Sequence, residues 1–294
     1  MMIKRISQGA LTVALCLWLL VFAGHSEQEK KYIRIAILPC SDVVMTFKKF
    51  HPLTAYLKEE SGFDIRTVVP RNFAEFEMAI KNGEMDFAFQ DPHTYARIAS
   101  LYDKNSLISA LTWEGATVQY GVVIVRRDSN IKTLQGLREK TVMFGPRLSA
   151  TKWTAAKELF EKNGINLDKD LKAYSHGGCC EDIAFNVYLR AVDAGIVCDH
   201  FLVGHPEKQK ELGVEANQMI VVSRTEAVPT RVFAARKGIS TGMVTTVNQA
   251  LLRLDKNKPA HAKILYNAEI GGFQKSKDRD YDGIRTLIGA KRVD

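Results

Sequence analysis

At 294 residues, 46% apolar and 25% charged, the chain has the make-up of a soluble globular protein with room for about two domains. Its net charge of +8 comes from basic residues scattered along the chain (Lys48-Lys49, Arg126-Arg127, Lys256, Lys258, Lys275, Lys277). That spread argues against nucleic-acid binding, which needs a clustered basic stripe, but a mild positive field suits a small anion.

The chain opens with Lys4 and Arg5, an uncharged stretch from Ala10 to Ala23, and small residues for cleavage in Val21-Phe22-Ala23. This is the pattern of a secretory signal peptide over residues 1–23. The apolar run is shorter than the ~20 residues of a spanning helix. Cys16 follows bulky Leu15 inside it and does not read as a lipid-attachment site. Cleavage would remove two positive charges and release a soluble, exported chain of net charge +6.

Ile33 to Leu38 alternates like a strand and ends at Pro39-Cys40-Ser41. Phe47, Phe50, Leu53 and Leu57 follow at helical spacing, with Gly62 as a stop. Asp64 to Val69 predicts a second strand, and Asn72-Phe73-Ala74-Glu75 a capped helix start with Phe76 and Ile80 on its buried face. Then comes a unit used twice. Ile80 to Phe89 runs from a helix end through Gly83 and Asp86 into an apolar strand stopping at Gln90-Asp91. Leu189 to Val197 repeats this through Asp193 and Gly195, and stops at Cys198-Asp199. Between the copies, Gly121 to Val125 is a candidate crossing strand. Ile131, Leu134 and Leu137 suggest a short helix, and Thr141 to Phe144 a strand. The loop Gly145 to Thr151 leads into a helix from about Lys152 to Asn163, and His176-Gly177-Gly178-Cys179 opens another. Met219 to Ser223 and Thr230 to Arg236 read as strands, the second a return crossing, with helices near 245–254 and 280–288 at the end. The alternation predicts an α/β protein of two similar lobes, each a mostly parallel sheet with covering helices. Ligands bind beyond the carboxyl ends of such strands, so the two polar strand ends are expected to face one cleft.

The chain resembles the periplasmic substrate-binding proteins of phosphonate, phosphite and phosphate ABC transporters, a branch of the two-lobed type II binding-protein fold. The resemblance rests on Phe50 to Leu57, Gly83-Glu84-Met85-Asp86, Asp91-Pro92-His93-Thr94-Tyr95, Gly121 to Val125 and Asp128-Ser129-Asn130-Ile131. It continues through Val192-Asp193-Ala194-Gly195, Val228-Pro229, Gly272-Phe273 and Asp280-Tyr281. It implies two hinge strands joining lobe 1 (24–120 and 233–294) to lobe 2 (121–232), closure around a ligand, and no reaction. It further implies a cleft tyrosine at Tyr95 and an anion-cradling loop at Ser149 and Thr151, where N–H groups and the helix dipole favour negative charge. A site histidine falls at His176. The loop departs from the family's Ser-Thr-Ser-Gly-like pattern: it reads Ser149-Ala150-Thr151-Lys152-Trp153, one hydroxyl and the glycine short, with Lys152 adding a charge.

After signal cleavage Cys40, Cys179, Cys180 and Cys198 remain, all at or beside expected cleft positions. A helix N-terminus favours thiolate, and thiolates suit a soft ligand better than phosphate. The resemblance includes relatives that bind arsenite for sensing. Against this stand a disulfide from Cys198 to Cys179 or Cys180, buried inert thiols, and a zinc site with His176 or His200 for which no standard spacing exists. The expected ligand set is thus Cys40, Ser41, Gln90, Asp91, Tyr95, Ser149, Thr151, Lys152, His176, Cys179, Cys180, Cys198 and Asp199. No catalytic residue, metal or cofactor is expected. A monomer would present a small oxyanion to an ABC transporter permease or, in a sensory version, to a histidine kinase; a thiol enzyme built on Cys179 or Cys180 with His176 and a redox-responsive structural protein are the remaining alternatives.

Overall fold

The structure, a computed structural model, describes residues 32–39, 42–203 and 215–292. The expected signal peptide, Cys40 and Ser41 lie outside the described residues. The strands are β1 (Ile33–Ile37), β2 (Ile65–Val68), β3 (Phe87–Gln90), β4 (Ile108–Leu111), β5 (Val118–Gln119), β6 (Gly121–Arg126), β7 (Thr141–Phe144), β8 (Ala173–His176), β9 (Ala194–Cys198), β10 (Met219–Arg224), β11 (Val228–Pro229), β12 (Val232–Ala235) and β13 (Gly272–Lys275). They form two larger sheets, ordered β13-β4-β12-β3-β1-β2 and β10-β6-β9-β7-β8. Each carries a hydrophobic cluster on both faces. In the first sheet Ile33, Ile35 and Ile37 meet Phe50, Leu53 and Leu57 of the helix Val43–Ser61, while Ala36 and Ala88 face Phe76 and Ile80 of the helix Phe73–Lys81. In the second, Val123 and Val125 pack towards Phe160, and Val122 and Ile124 towards Ile183 and Val187. This is the two-residue strand period with both faces covered.

Both sheets are mixed, and the reversed strands show why. β1, β2, β3 and β4 run one way, with β12 and β13 opposed. β7, β8, β9 and β10 run together, with β6 opposed. β6 and β12 are the strands that enter a sheet straight after the chain passes between sheets, so they start where their neighbours end. Gly121 at the start of β6 pairs with Cys198 at the end of β9, and Val232 at the start of β12 pairs with Gln90 at the end of β3. The passage itself is the antiparallel pair of β5 and β11, Val228 opposite Gln119 and Pro229 opposite Val118. The crossings expected at Gly121–Val125 and Thr230–Arg236 therefore lie a few residues earlier in each case. Those apolar segments are buried inside the sheets, which is why they read as strongly hydrophobic.

The repeated units do equivalent work. Asp86 accepts the N–H of Arg34 at 2.9 Å, and Asp193 accepts the N–H of Thr141 at 2.8 Å, in both cases from 52 residues upstream. Each carboxylate ties the beginning of its own strand to a parallel neighbour, β3 to β1 through Asp86 and β9 to β7 through Asp193. The short helix expected around Ile131–Leu137 is a single 3-10 turn, Leu134–Leu137. The terminal helices are Thr241–Leu252 and Asp282–Leu287, and Pro259–Ala268 is a further helix between them. Among the described residues no helix is long and apolar enough to cross a membrane.

Candidate ligand cleft

β3 ends at Gln90 and hands over to the helix Pro92–Ile98, capped by Asp91, which accepts the N–H of His93 at 2.8 Å. Pro92 at the first helical position loses no hydrogen bond there. In the other sheet, β7 leads to a wide turn at Ala150–Ala155 that continues as the helix Ala156–Lys162. Ser149 caps it, accepting the N–H of Lys152 at 3.2 Å, while the N–H of Thr154 reaches back five residues to the Ser149 carbonyl at 3.0 Å. Such π turns recur at functional sites.

Between these strand ends lies a cleft of about 930 Å³ measured out to its open mouth. Gln90, Asp91, Thr112, Arg231 and Glu269 line it from the first sheet's side, and Ser149, Thr151, Lys152, Cys179, Cys180, Glu181, Cys198 and His200 from the second's. Gln119 of β5 contributes from the connection.

Several donors are oriented by neighbours. Tyr102 donates to Gln90 Oε1 at 3.1 Å, which fixes the amide; Gln90 is fully buried, and its Nε2 has no acceptor among the described residues. Gln119 Nε2 donates to Thr151 Oγ1 at 2.9 Å, so the buried Thr151 hydroxyl keeps its own hydrogen to offer elsewhere. Lys152 is buried, and its Nζ donates to the Gly178 carbonyl at 2.8 Å. Gly145 makes this possible, because a Cβ there would stand 2.5 Å from Lys152 Cβ. Arg231 lies over the rings of Phe50 and Phe89, 5.5 and 6.0 Å from their centroids.

The two sheets' elements touch directly across the cleft. Asp91 Oδ1 also accepts the N–H of Ala150 at 3.0 Å, and His93 Nδ1 lies 2.8 Å from Thr154 Oγ1. Burial pushes the Asp91 carboxyl up to about 6, opposed by the N–H groups of His93 and Ala150 and by the charges of Arg231 and Lys152. Burial also lowers His93 to about 4, with Arg97 adding to the effect. Lys49 pairs with Glu269. Burial alone would lower the lysine, but Glu269, Cys179 and Glu181 together outweigh it and hold the ammonium charged. Burial and the charge of Glu269 raise Glu181, against the pull of Lys49.

Of the expected ligand set, Gln90, Asp91, Ser149, Thr151, Lys152, Cys179, Cys180 and Cys198 come together in the cleft. Tyr95 does not. It is fully buried behind β3, donates to Asp278 Oδ1 at 2.7 Å and packs against Tyr102 and Tyr281. His176 sits behind the cradle loop, its Nδ1 2.7 Å from the Gly145 carbonyl and its ring edge-on to Trp153. Asp199 starts the helix Asp199–Val203 and turns to Arg224, 3.4 Å away, while its neighbour His200 reaches the cleft. The three described cysteines are thiols, not disulfides. Hydrogen bonding to Cys198 and then burial raise Cys180 well above its ordinary value, against the thiolate expected at a helix start. Among the described residues no three histidine, cysteine or acidic side chains are placed to hold a metal ion.

Sequence reasoning missed Lys49, Gln119, Glu181, Arg231 and Glu269. Arg231 follows the Val228-Pro229 motif and Glu181 follows the cysteine pair, so both stood beside recognised signals. Nothing local marked Gln119 or Glu269.

A binding-protein component of an ABC phosphonate transporter from Pseudomonas aeruginosa superposes with a TM-score of 0.76 at 16% identity, covering 88% of this chain and 86% of that one. A Prochlorococcus marinus protein in complex with methylphosphonate gives 0.75 at 14% identity over 87% and 97%. A Xanthomonas citri protein bound to ATP gives 0.65 at 16% identity over 88% and 96%. These likenesses establish the type II binding-protein fold, with two lobes joined by the β5–β11 hinge strands. Residues 35–281 match the family model for the periplasmic substrate-binding protein of phosphonate ABC transporters. The chain belongs to that family, whose members are binding components of transport systems and not enzymes.

Proposed function

We propose that the protein captures a small tetrahedral oxyanion of the phosphonate, phosphite or phosphate class between its lobes and presents it, as an exported monomer, to an ABC transporter permease. The lobes would be 24–120 with 233–294, and 121–232. The observation that carries the reading is Gln90: a fully buried amide on the cleft wall, oriented by Tyr102, whose Nε2 has no acceptor among the described residues. A buried donor is costly to leave unpaired, and an anionic oxygen supplies the partner. Lys152, Arg231 and the Thr151 hydroxyl line the same cleft and favour negative charge.

The three thiols favour a second reading, a trivalent arsenic oxyanion bound through sulfur in a sensory protein that feeds a histidine kinase. The upward shift of the Cys180 thiol and the two cationic side chains speak for the anion first. A thermal-shift panel of phosphate, phosphite, methylphosphonate, arsenate, arsenite and sulfate, with and without reductant, tests both, because ligand binding raises apparent stability by mass action. Stabilisation by a tetrahedral anion regardless of reductant is expected. Stabilisation by arsenite alone, under reducing conditions, would replace the first reading with the second, and no shift with any member would sink both.

A further inference from the structure

We propose that Cys180 and Cys198 form a reversible dithiol–disulfide couple built into the wall of the cleft, and that its oxidation weakens ligand binding. The second half rests on the oxyanion reading above; the first does not.

Cys180 is the first residue of the helix Cys180–Tyr188, and Cys198 the last of β9. The helix packs on β9 so closely that a Cβ at Gly195 would stand 2.5 Å from Ile183 Cγ2. This brings the two cysteines together: the N–H of Cys198 donates to Cys180 Sγ at 3.2 Å. Both are buried and both line the cleft. Cys179 has a different environment, acting on Lys49 from across the cleft together with Glu181 and Glu269. Of the two pairings open to Cys198, the structure thus favours Cys180.

The chemistry needs an oxidant, supplied by a small-molecule or protein disulfide of the kind present in an oxidising compartment. Cys180 and Cys198 each give up a proton, one S–S bond forms, and the oxidant's disulfide takes the two electrons and two protons to leave as two thiols. The bonded sulfurs would stand about 2.05 Å apart, well inside hydrogen-bond contact. Closing that gap draws the start of the helix towards β9. Gly178, whose carbonyl holds Lys152, and Glu181, which acts on Lys49, flank Cys180 and move with it. Oxidation therefore loosens the lysine and the charge group across the cleft, and removes two S–H groups from its wall.

The test uses the whole mature chain, equilibrated in oxidised or reduced dithiothreitol, alkylated, and read by intact mass and peptide mapping. The oxidised wild type and Cys179→Ser are expected to lose two hydrogens and to link the peptide carrying Cys180 to that carrying Cys198. Cys180→Ser and Cys198→Ser should form no such link. No link in the wild type, a link surviving in Cys180→Ser, or a link to Cys40 would overturn the couple. Calorimetric titration with methylphosphonate, phosphite and phosphate then reads the consequence. The loss of about one hydrogen bond predicts about fivefold weaker binding by the oxidised wild type, with no such ratio in Cys180→Ser. Equal affinity of the two forms would overturn the gating. If no anion binds even the reduced protein, the oxyanion reading and the gating fall together, while the mass measurement still decides the couple.

Discussion

Asp91 Oδ1 accepts two backbone N–H groups from opposite sides of the cleft, that of His93 at 2.8 Å and that of Ala150 at 3.0 Å. The same oxygen caps the helix Pro92–Ile98 and holds the cradle loop against the first lobe. Asp91→Ala removes both contacts and should cost about 1–2 kcal/mol, the range for a lost N-cap. Asp91→Asn keeps an acceptor oxygen without the buried charge and should cost less. Urea denaturation at pH 7 measures the difference.

A pH dependence follows from the groups on either side of that contact. Asp91 is raised from 3.8 to about 6, so the folded form holds its proton more tightly and stability falls as pH rises through that window. His93 is lowered from 6.5 to about 4, so the folded form prefers it neutral and stability is lost as pH falls from 6.5 towards 4. The two effects oppose each other. Asp91→Asn should leave the His93 branch alone, with urea midpoints rising steadily from pH 4 to 6.5. An unchanged profile in that variant would show that Asp91 does not titrate there.

Gln90 and Lys152 separate binding from folding. Gln90→Leu removes the buried donor from the cleft, and should weaken anion binding about tenfold or more, in line with 1.5–3 kcal/mol for a hydrogen bond to a charged group. Tyr102 loses its acceptor in the same change, so stability should fall by about 1 kcal/mol. Lys152→Met keeps most of the packing against Gly145 and should also weaken anion binding at least tenfold. Titration calorimetry alongside denaturation checks each. Full affinity in Gln90→Leu would remove the main support for the proposed site.

The glycines of the two repeated units distinguish backbone conformation from packing. Gly83 has φ +68°, a left-handed conformation, and a Cβ there meets no atom closer than 3.9 Å. Gly195 has no such φ, but a Cβ would stand 2.5 Å from Ile183 and 2.9 Å from Val187. Gly83→Asn should therefore be mild, below about 1 kcal/mol, because asparagine tolerates this conformation. Gly195→Asn overpacks the helix–strand contact and should cost about 1–3 kcal/mol or more. Equal costs would contradict this division of roles.

The sequence by itself determined the two lobes. The repeated helix–turn–strand units, the alternating apolar strands and the capping residues are local signals that follow from backbone periodicity, and they set where strands end. The strand ends Gln90-Asp91 and Cys198-Asp199, and the loop at Ser149 to Lys152, were legible for the same reason. What only the tertiary structure decided is which side chains near those ends face the cleft. Tyr95, His176 and Asp199 stood at the right places in the chain, yet each is turned aside by a specific partner: Asp278, the Gly145 carbonyl and Arg224. Gln119 and Arg231 reach the cleft because the hinge strands and the returning β12 bring distant segments to it, and Glu269 because it ends the helix Pro259–Ala268. The preference for Cys180 over Cys179 likewise comes from the packing of one helix on β9. Periodicity sets a residue's face within its element, but direction into a shared cleft depends on how two lobes meet, and that is a long-range contact no local pattern encodes.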